Sequence, residues 1–168
     1  MVERAILIDN WPEEHVKAVG QVSIAFTTIE YILRLYIKSL VGAKFDIGMG
    51  ITLDNRQFRQ ILNMASSLFK IRFQNEAQKT KEFEKLLDRC TKVAKRRNRV
   101  MHRLWTLDKK GQVVSLAHEV RGGMGLKANR QVVRVTELQT LYRDIMKLRD
   151  DLLTARERLI AGSIKGAP

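Results

Sequence analysis

The spacing of apolar residues constrains the fold of this 168-residue chain more than any other feature. Between Pro12 and Val41, apolar side chains recur every three or four positions, which is the spacing of a buried helix face. They are Val19, Val22, Phe26, Ile29, Leu33, Ile37 and Leu40. Because Pro12 suits a first helical position and Gly42 suits a helix end, the sequence predicts a long core helix over 12–41.

Similar stripes predict three further helices. The glycine-rich segment 42–50 predicts a loop, after which Thr52 or Asp54 can cap a second helix that ends between Lys70 and Asn75. The apolar face of this second helix comprises Phe58, Ile61, Leu62, Ala65 and Leu68.

A third helix is predicted from Glu76 to Arg103, and a fourth begins at the capping box Thr136-x-x-Gln139. The third carries Phe83, Leu86, Leu87, Cys90, Val93, Ala94, Val100, Met101 and Leu104 on one face. The fourth carries Leu138, Leu141, Ile145, Leu148, Leu152 and Leu159. The near-heptad spacing of the fourth stripe suits a bundle core or a dimer seam.

The segment between the third and fourth helices predicts β-structure. Leu104–Leu107 and Val113–Ala117 flank the turn Asp108-Lys109-Lys110-Gly111, which is typical of a β-hairpin. The segment 121–130, with three glycines, predicts a flexible basic loop, and 131–135 predicts a third short strand.

The predicted fold is mainly α: an antiparallel helical bundle with a small β-hairpin between the third and fourth main helices. One domain is expected over 1–161, with a disordered tail at 162–168. No signal peptide is recognised at the N-terminus, and charged residues interrupt the apolar stretch 16–41, so no membrane segment is expected. The lone Cys90 has no disulfide partner, which favours a reducing compartment and predicts a cytoplasmic location.

The charge of the chain favours an anionic partner. Lys and Arg outnumber Asp and Glu by 31 to 18, and seven basic residues with no acidic one lie between Arg89 and Arg103. Such a run can attract phosphates through counterion release. A solvated basic helix face is the alternative, whereas a membrane-surface helix is disfavoured because the opposite face is committed to a core. The predicted phosphate-binding residues are Lys92, Lys95, Arg96, Arg99 and Arg103.

Two charged residues interrupt the apolar stripes. Arg97 continues the row formed by Phe83 and Cys90, and Glu30 follows Phe26 on the first helix. A charge at such a position is costly unless it is paired or faces a wet cleft. The sequence therefore predicts a buried pair or a shared polar site, and the alternative is an internal salt bridge that only fixes helix register.

The same region contains the motif Arg97-Asn98-Arg99-Val100-Met101-His102. Asn98 and His102 share a helix face, whereas Arg97 lies about 140° around the helix from His102. This Arg-Asn-x-x-x-His arrangement resembles the motif of the HEPN superfamily. The context is also similar: an acidic residue in an early apolar helix, a hairpin directly after the motif, and a capped final helix.

The resemblance implies a helical homodimer in which two motifs face one another across a cleft and cut RNA without metal or other cofactor. Arg97 and His102 match the two essential positions, Asn98 matches the polar residue after the Arg, and Glu30 is a weaker match. Some toxin members carry a modified Tyr two residues after the His; Leu104 stands there, which disfavours that regulation. A toxin, defence or RNA-processing role follows, with an antitoxin or nucleotidyltransferase as a further partner.

The motif side chains suit this chemistry. Imidazole titrates near neutrality and can act as base or acid, while a guanidinium binds two phosphate oxygens. One motif His per chain cannot fill both roles at once, which gives a physical reason for a dimer. The alternative is a non-catalytic HEPN-like module that binds RNA, a nucleotide or a protein partner. A helical DNA-binding protein fits less well, because no helix-turn-helix pattern precedes a polar recognition helix.

Overall fold

The computed structural model describes residues 11–44, 46–47, 49–50, 57–120 and 126–160, with the backbone alone at 117–120 and 126–129. Its elements, in chain order, are α1 (Glu13–Val41), α2 (Phe58–Arg72), α3 (Ala77–His102), β1 (Leu104–Leu107), β2 (Val113–Val120), β3 (Leu126–Val132) and α4 (Val135–Ile160). The described chain is mainly helical with a small antiparallel sheet, as predicted. The predicted tail at 162–168 lies outside the described residues.

The first helix is confirmed to within one residue. Pro12 occupies the N-cap position rather than the first helical position, and Gly42 ends the helix with a φ of 70°. Glycine adopts this left-handed conformation without the steric cost that other residues incur. Every predicted stripe residue except Val19 is buried. Four residues within 42–50 have helical backbone, so the prediction of a loop throughout that segment is wrong.

The second helix begins at Phe58, with Gln57 in the N-cap position. The Gln60 side chain accepts a hydrogen bond from the Gln57 backbone N–H at 2.9 Å, which satisfies a donor that the first turn leaves free. The predicted caps Thr52 and Asp54 lie outside the described residues. At the far end of the helix, Phe69 and Phe73 are buried against the core.

The core draws on all four described helices. α4 packs mainly along α1, and the fully buried Tyr36 hydroxyl donates to the Leu152 carbonyl oxygen at 2.8 Å. Burial raises the pKa of the Tyr36 phenol, so the group stays neutral as a donor. The predicted stripe of α4 is buried throughout. The predicted capping box is wrong, because the helix begins at Val135 and Thr136 lies inside its first turn.

The predicted hairpin is confirmed. The Asp108 carboxylate accepts hydrogen bonds from the backbone N–H groups of Lys110 and Gln112, each at 2.8 Å, and Gly111 has a φ of 73°. These hydrogen bonds lower the pKa of the exposed Asp108 carboxyl. Leu104, predicted on the third helix face, instead begins β1 and is 43% exposed, because α3 ends at His102.

A third strand extends the hairpin into a sheet of order β1-β2-β3. β3 pairs antiparallel with β2 and spans Leu126–Val132, so the flexible loop predicted over 121–130 is wrong for 126–130. Residues 121–125 lie outside the described residues. The strand predicted at 131–135 starts earlier and ends at Val132, because backbone pairing with β2 outweighs the low strand propensity of this basic segment.

Candidate functional site

A cavity of about 910 Å³ lies between α2 and α3, with α1 behind it. The α3 wall follows a three-and-four spacing, as expected for one face of a helix. Arg97, Asn98, His102 and Glu30 all line the cavity, so the structure brings together every predicted catalytic and supporting residue. The lining residues are Phe26, Glu30, Gln57, Phe58, Arg59, Leu62, Asn63, Ser66, Glu84, Leu87, Asp88, Thr91, Ala94, Lys95, Arg97, Asn98 and His102.

Arg97 is half-buried in the cavity wall. Its guanidinium carbon lies 5.2 Å from the centroid of the Phe26 ring, which is a cation–π contact. Its Nη1 donates to Asn98 Oδ1 at 3.1 Å, and its buried Nε has no hydrogen-bond partner among the described residues. A buried charged donor without an acceptor is costly, so the guanidinium retains capacity to bind an anion.

Glu30 is also half-buried, and neither Glu30 nor Arg97 belongs to an ion pair in the described chain. The predicted buried salt bridge, and with it the alternative that such a bridge fixes helix register, is therefore wrong. The other prediction, a shared polar site, agrees with the position of both residues on one cavity. Both side chains are only half-buried, so part of each is open to solvent and no direct pairing is required.

His102 is the last residue of α3, and its side chain is exposed. Asn98 lies one turn earlier on the same cavity wall, as the four-residue spacing predicts. His102 makes no hydrogen bond within the described residues, so none of these residues fixes the orientation of its ring. His15 differs, because its Nε2 lies 3.0 Å from the Val133 carbonyl oxygen in a structural contact. The side chain of His118 lies outside the described residues.

The predicted phosphate-binding cations divide between two faces of α3. Lys95 lines the cavity and forms no ion pair in the described chain. On the face toward α4, Arg96 forms an ion pair with Asp144. Arg89 Nη2 lies 2.6 Å from Asp151 Oδ2 on the same face. Carboxylates of α4 thus neutralise the arginines on that side.

The other cations of the run are also dispersed. Lys92 Nζ lies 2.7 Å from Asp88 Oδ2. Arg99 and Arg103 line a separate cavity of about 250 Å³ beside the sheet, where Arg103 Nη1 donates to Gln131 Oε1 at 3.0 Å. The basic run therefore surrounds the helix and does not form one continuous surface.

Two cavity residues from α2 were missed at the level of sequence. Arg59 and Asn63 are four residues apart and share a helix face that lines the cavity. Both are exposed, and neither forms an ion pair or side-chain hydrogen bond in the described chain. The sequence shows a polar face here, but nothing local distinguishes it from an ordinary solvated face.

Other features of the described chain bear on its class. Cys90 lies in the core, and burial raises the pKa of its thiol to about 12, which keeps the reactive thiolate scarce. The described ranges contain no group of three or more His, Cys, Asp or Glu that could hold a metal ion. Within the same ranges, no helix combines the length and apolarity that a bilayer crossing requires.

The chain matches no protein-family model, no curated protein and no solved structure. The resemblance to the HEPN superfamily therefore stays a prediction based on the motif and its helical context. What the fold and the site define is a broader class: a mainly helical protein with a small antiparallel sheet and a cavity between two helices that both cations and carboxylates line.

Proposed function

We propose that this protein is a metal-independent endoribonuclease that cleaves single-stranded RNA through a composite Arg/His site in the cleft of a homodimer. The observation that carries the proposal is the position of Arg97, Asn98 and His102 on one cavity with Glu30. Phosphodiester cleavage needs a group that transfers protons and a group that stabilises negative charge. The imidazole of His102 and the guanidinium of Arg97, which has an unused hydrogen-bond donor, provide both in one polar cavity.

The reaction that these groups support is attack by the ribose 2′-oxygen on the adjacent phosphorus. A base takes the 2′-hydroxyl proton, the bond from phosphorus to the 5′-oxygen breaks, and an acid donates a proton to that leaving oxygen. The products are a 2′,3′-cyclic phosphate and a 5′-hydroxyl. Arg97 stabilises the negative charge that develops on the phosphorane. DNA is not cut, because it lacks the 2′-hydroxyl nucleophile.

The dimer supplies the second proton-transfer group. His102 of one copy acts as the base while His102 of the other acts as the acid, and the exposed position of this residue at a helix end leaves it accessible to a second copy. Asn98 fixes the guanidinium of Arg97 through the hydrogen bond that it accepts. A cytoplasmic toxin, defence or RNA-processing role fits this activity, with an antitoxin or nucleotidyltransferase as a further partner.

One observation favours a second candidate, a non-catalytic module that binds RNA or a nucleotide. Among the described residues, none forms a hydrogen bond that sets the ring orientation of His102, and catalytic histidines are generally oriented by a hydrogen bond. In this alternative, Arg97 and its neighbouring cations hold the phosphates and no proton is transferred.

The test is cleavage of single-stranded RNA in EDTA by the purified protein. We expect products with 2′,3′-cyclic phosphate or 3′-phosphate ends, no cleavage of DNA, and a loss of about 10²–10⁴-fold in rate for His102→Ala. Lys109→Ala, an exposed change at the hairpin turn, is the matched control. Light scattering should report about twice the 19.4 kDa chain mass.

Three results would contradict the proposal. Cleavage that persists at full rate in His102→Ala would identify another site or a contaminating nuclease. Tight binding of RNA without cleavage under any condition would favour the binding module, and a strict monomer at micromolar concentration would remove the composite site.

A further inference from the structure

We infer that α2 carries a nucleotide-binding subsite of the cavity, in which Arg59 binds a phosphate and Asn63 hydrogen-bonds the attached base. The inference rests on the proposed function, because it names the part of the RNA that the cavity holds beside the cleaved bond. It assigns a role to two residues that the Arg-Asn-x-x-x-His motif does not include.

The size of the cavity is the first argument. Its volume of about 910 Å³ lies near the upper end of the roughly 300–1,000 Å³ that small-molecule sites occupy. A single phosphate bound at Arg97 would fill only a small part of this space. The remaining volume accommodates a nucleoside.

The distribution of charge along the cavity indicates which end of it holds the phosphate of a bound nucleotide. Two of its carboxylates are already neutralised, because Glu84 Oε1 lies 2.7 Å from Lys70 Nζ and Asp88 Oδ2 lies 2.7 Å from Lys92 Nζ. The ion pair between Lys70 and Glu84 lies toward the end of α2 that connects to α3, whereas residues from the start of α2 and from the end of α3 line the same cavity. The start of α2 therefore lies beside the end of α3, where the motif is located.

Three cations line the cavity where the start of α2 lies beside the end of α3: Arg59, Lys95 and Arg97. None of them forms an ion pair in the described chain. Among the described lining residues, Glu30 is the one carboxylate at that end without an ion pair. A phosphate is therefore attracted to the end where α2 begins, and the uncharged part of a nucleotide extends toward the middle of the cavity.

The middle of the cavity has the groups that recognise a base. The Asn63 amide offers both a donor and an acceptor, which is the pattern that base edges require, and no described group occupies either of them. The half-buried Phe58 ring lies at the same wall, 4.8 Å from the Phe26 ring, and offers a surface for stacking. Asn63 lies one turn beyond Arg59, so one nucleotide can contact both.

The test measures binding of small probes by calorimetry: the four ribonucleoside 3′-monophosphates, ribose 5-phosphate and inorganic phosphate. At least one nucleotide should bind about fivefold more tightly than ribose 5-phosphate, and Asn63→Ala should remove this difference while phosphate still binds. Arg59→Gln should weaken every probe by about tenfold, because a charge-assisted hydrogen bond is lost. Both residues are exposed and have no side-chain partner among the described residues, so we expect these variants to keep the fold.

The matched controls are Asn75→Ala, in the turn after α2, and Arg143→Gln, on the exposed face of α4. Both should bind all probes as the unchanged protein does. The subsite is rejected if no nucleotide binds better than ribose 5-phosphate, if the advantage survives Asn63→Ala, or if the controls lose as much as the test variants.

The readout separates this inference from the proposed function. If the protein binds nucleotides in this way but leaves RNA intact, the proposed subsite is supported and the proposed endoribonuclease activity is rejected. If the protein cleaves RNA in EDTA but Asn63→Ala and Arg59→Gln leave nucleotide binding unchanged, the proposed endoribonuclease activity is supported and the proposed subsite is rejected.

Discussion

The two faces of α3 carry similar numbers of cations but differ in how those cations are compensated. On the face toward α4, Arg96 pairs with Asp144 and Arg89 pairs with Asp151. On the face toward α2, Lys95 lines the cavity without an ion pair in the described chain, next to the motif. One helix therefore presents arginines that pair with α4 carboxylates on one face, and cations without an ion pair in the described chain on another.

This difference shows that a basic run does not by itself locate a phosphate site. A cation that already faces a carboxylate has less attraction left for a phosphate, and binding at such a position must first break or share the existing pair. Ion pairs as exposed as those toward α4 contribute only about 0–1 kcal/mol to stability, so their main consequence is electrostatic. We therefore expect RNA to contact the α2 side of α3 first.

The largest expected contrast between the two faces is between Arg97 and its neighbour Arg96. Arg97→Ala should lower the rate of RNA cleavage by about 10²–10³-fold, because a charged donor at the phosphorane is lost. Arg96→Ala should leave the rate within about threefold, because that guanidinium is engaged with Asp144. Single-turnover kinetics at saturating RNA measure both, with chemical denaturation to exclude loss of fold.

Arg97→Lys sharpens this contrast without removing the charge. Lysine cannot bind two phosphate oxygens in the planar geometry of a guanidinium, so most of the loss should persist. Equal losses for Arg96→Ala and Arg97→Ala would show that the two faces do not differ in function.

A smaller contrast is expected between Lys95 and Lys92. The sequence predicts that both lysines bind RNA, but only Lys95 lines the cavity, and Lys92 pairs with Asp88. Lys95→Ala should weaken RNA binding several-fold and reduce the slope of log K against log salt by about 0.7, the value for one contact to a single strand. Lys92→Ala should change both by less. Binding titrations at several salt concentrations provide the measurement, and the reverse order would contradict it.

The helices could be predicted because each has an apolar stripe that depends only on local spacing. The stripes of α1 and α4 predict the buried residues, and Pro12 and Gly42 predict the ends of α1 to within one residue. The hairpin could be predicted for a similar reason, because its turn depends on neighbouring residues, among them Asp108 and Gly111. The position of the motif near the end of α3 follows from the same periodicity.

The parts that sequence reasoning got wrong or missed depend on contacts between distant segments. Strand β3 exists because β2 offers it a pairing edge, although its own composition favours a loop. The apolar stripes predicted that Glu30 and Arg97 lie on inward helix faces. They did not predict the cavity that both residues line. Arg59 was missed for the same reason, because its role depends on which helix lies opposite.

The smallest expected effect concerns Glu30, the one cavity carboxylate that the structure leaves without an ion pair in the described chain. A buried pair with Arg97 would make either single change cost on the order of 3–5 kcal/mol, because the surviving charge would be uncompensated. Since both groups are half-buried and form no ion pair in the described chain, Glu30→Gln should instead change the free energy of unfolding by no more than about 0.5 kcal/mol.

Chemical denaturation of Glu30→Gln beside Asp144→Asn measures this effect. The second variant breaks an exposed ion pair on the neutralised face of α3, so its expected cost of about 0–1 kcal/mol sets the scale. A loss of several kcal/mol in Glu30→Gln alone would mean that Glu30 compensates Arg97 electrostatically across the cavity. The α2 side of α3 would then be neutralised like the side toward α4, and the electrostatic difference between the two faces would disappear.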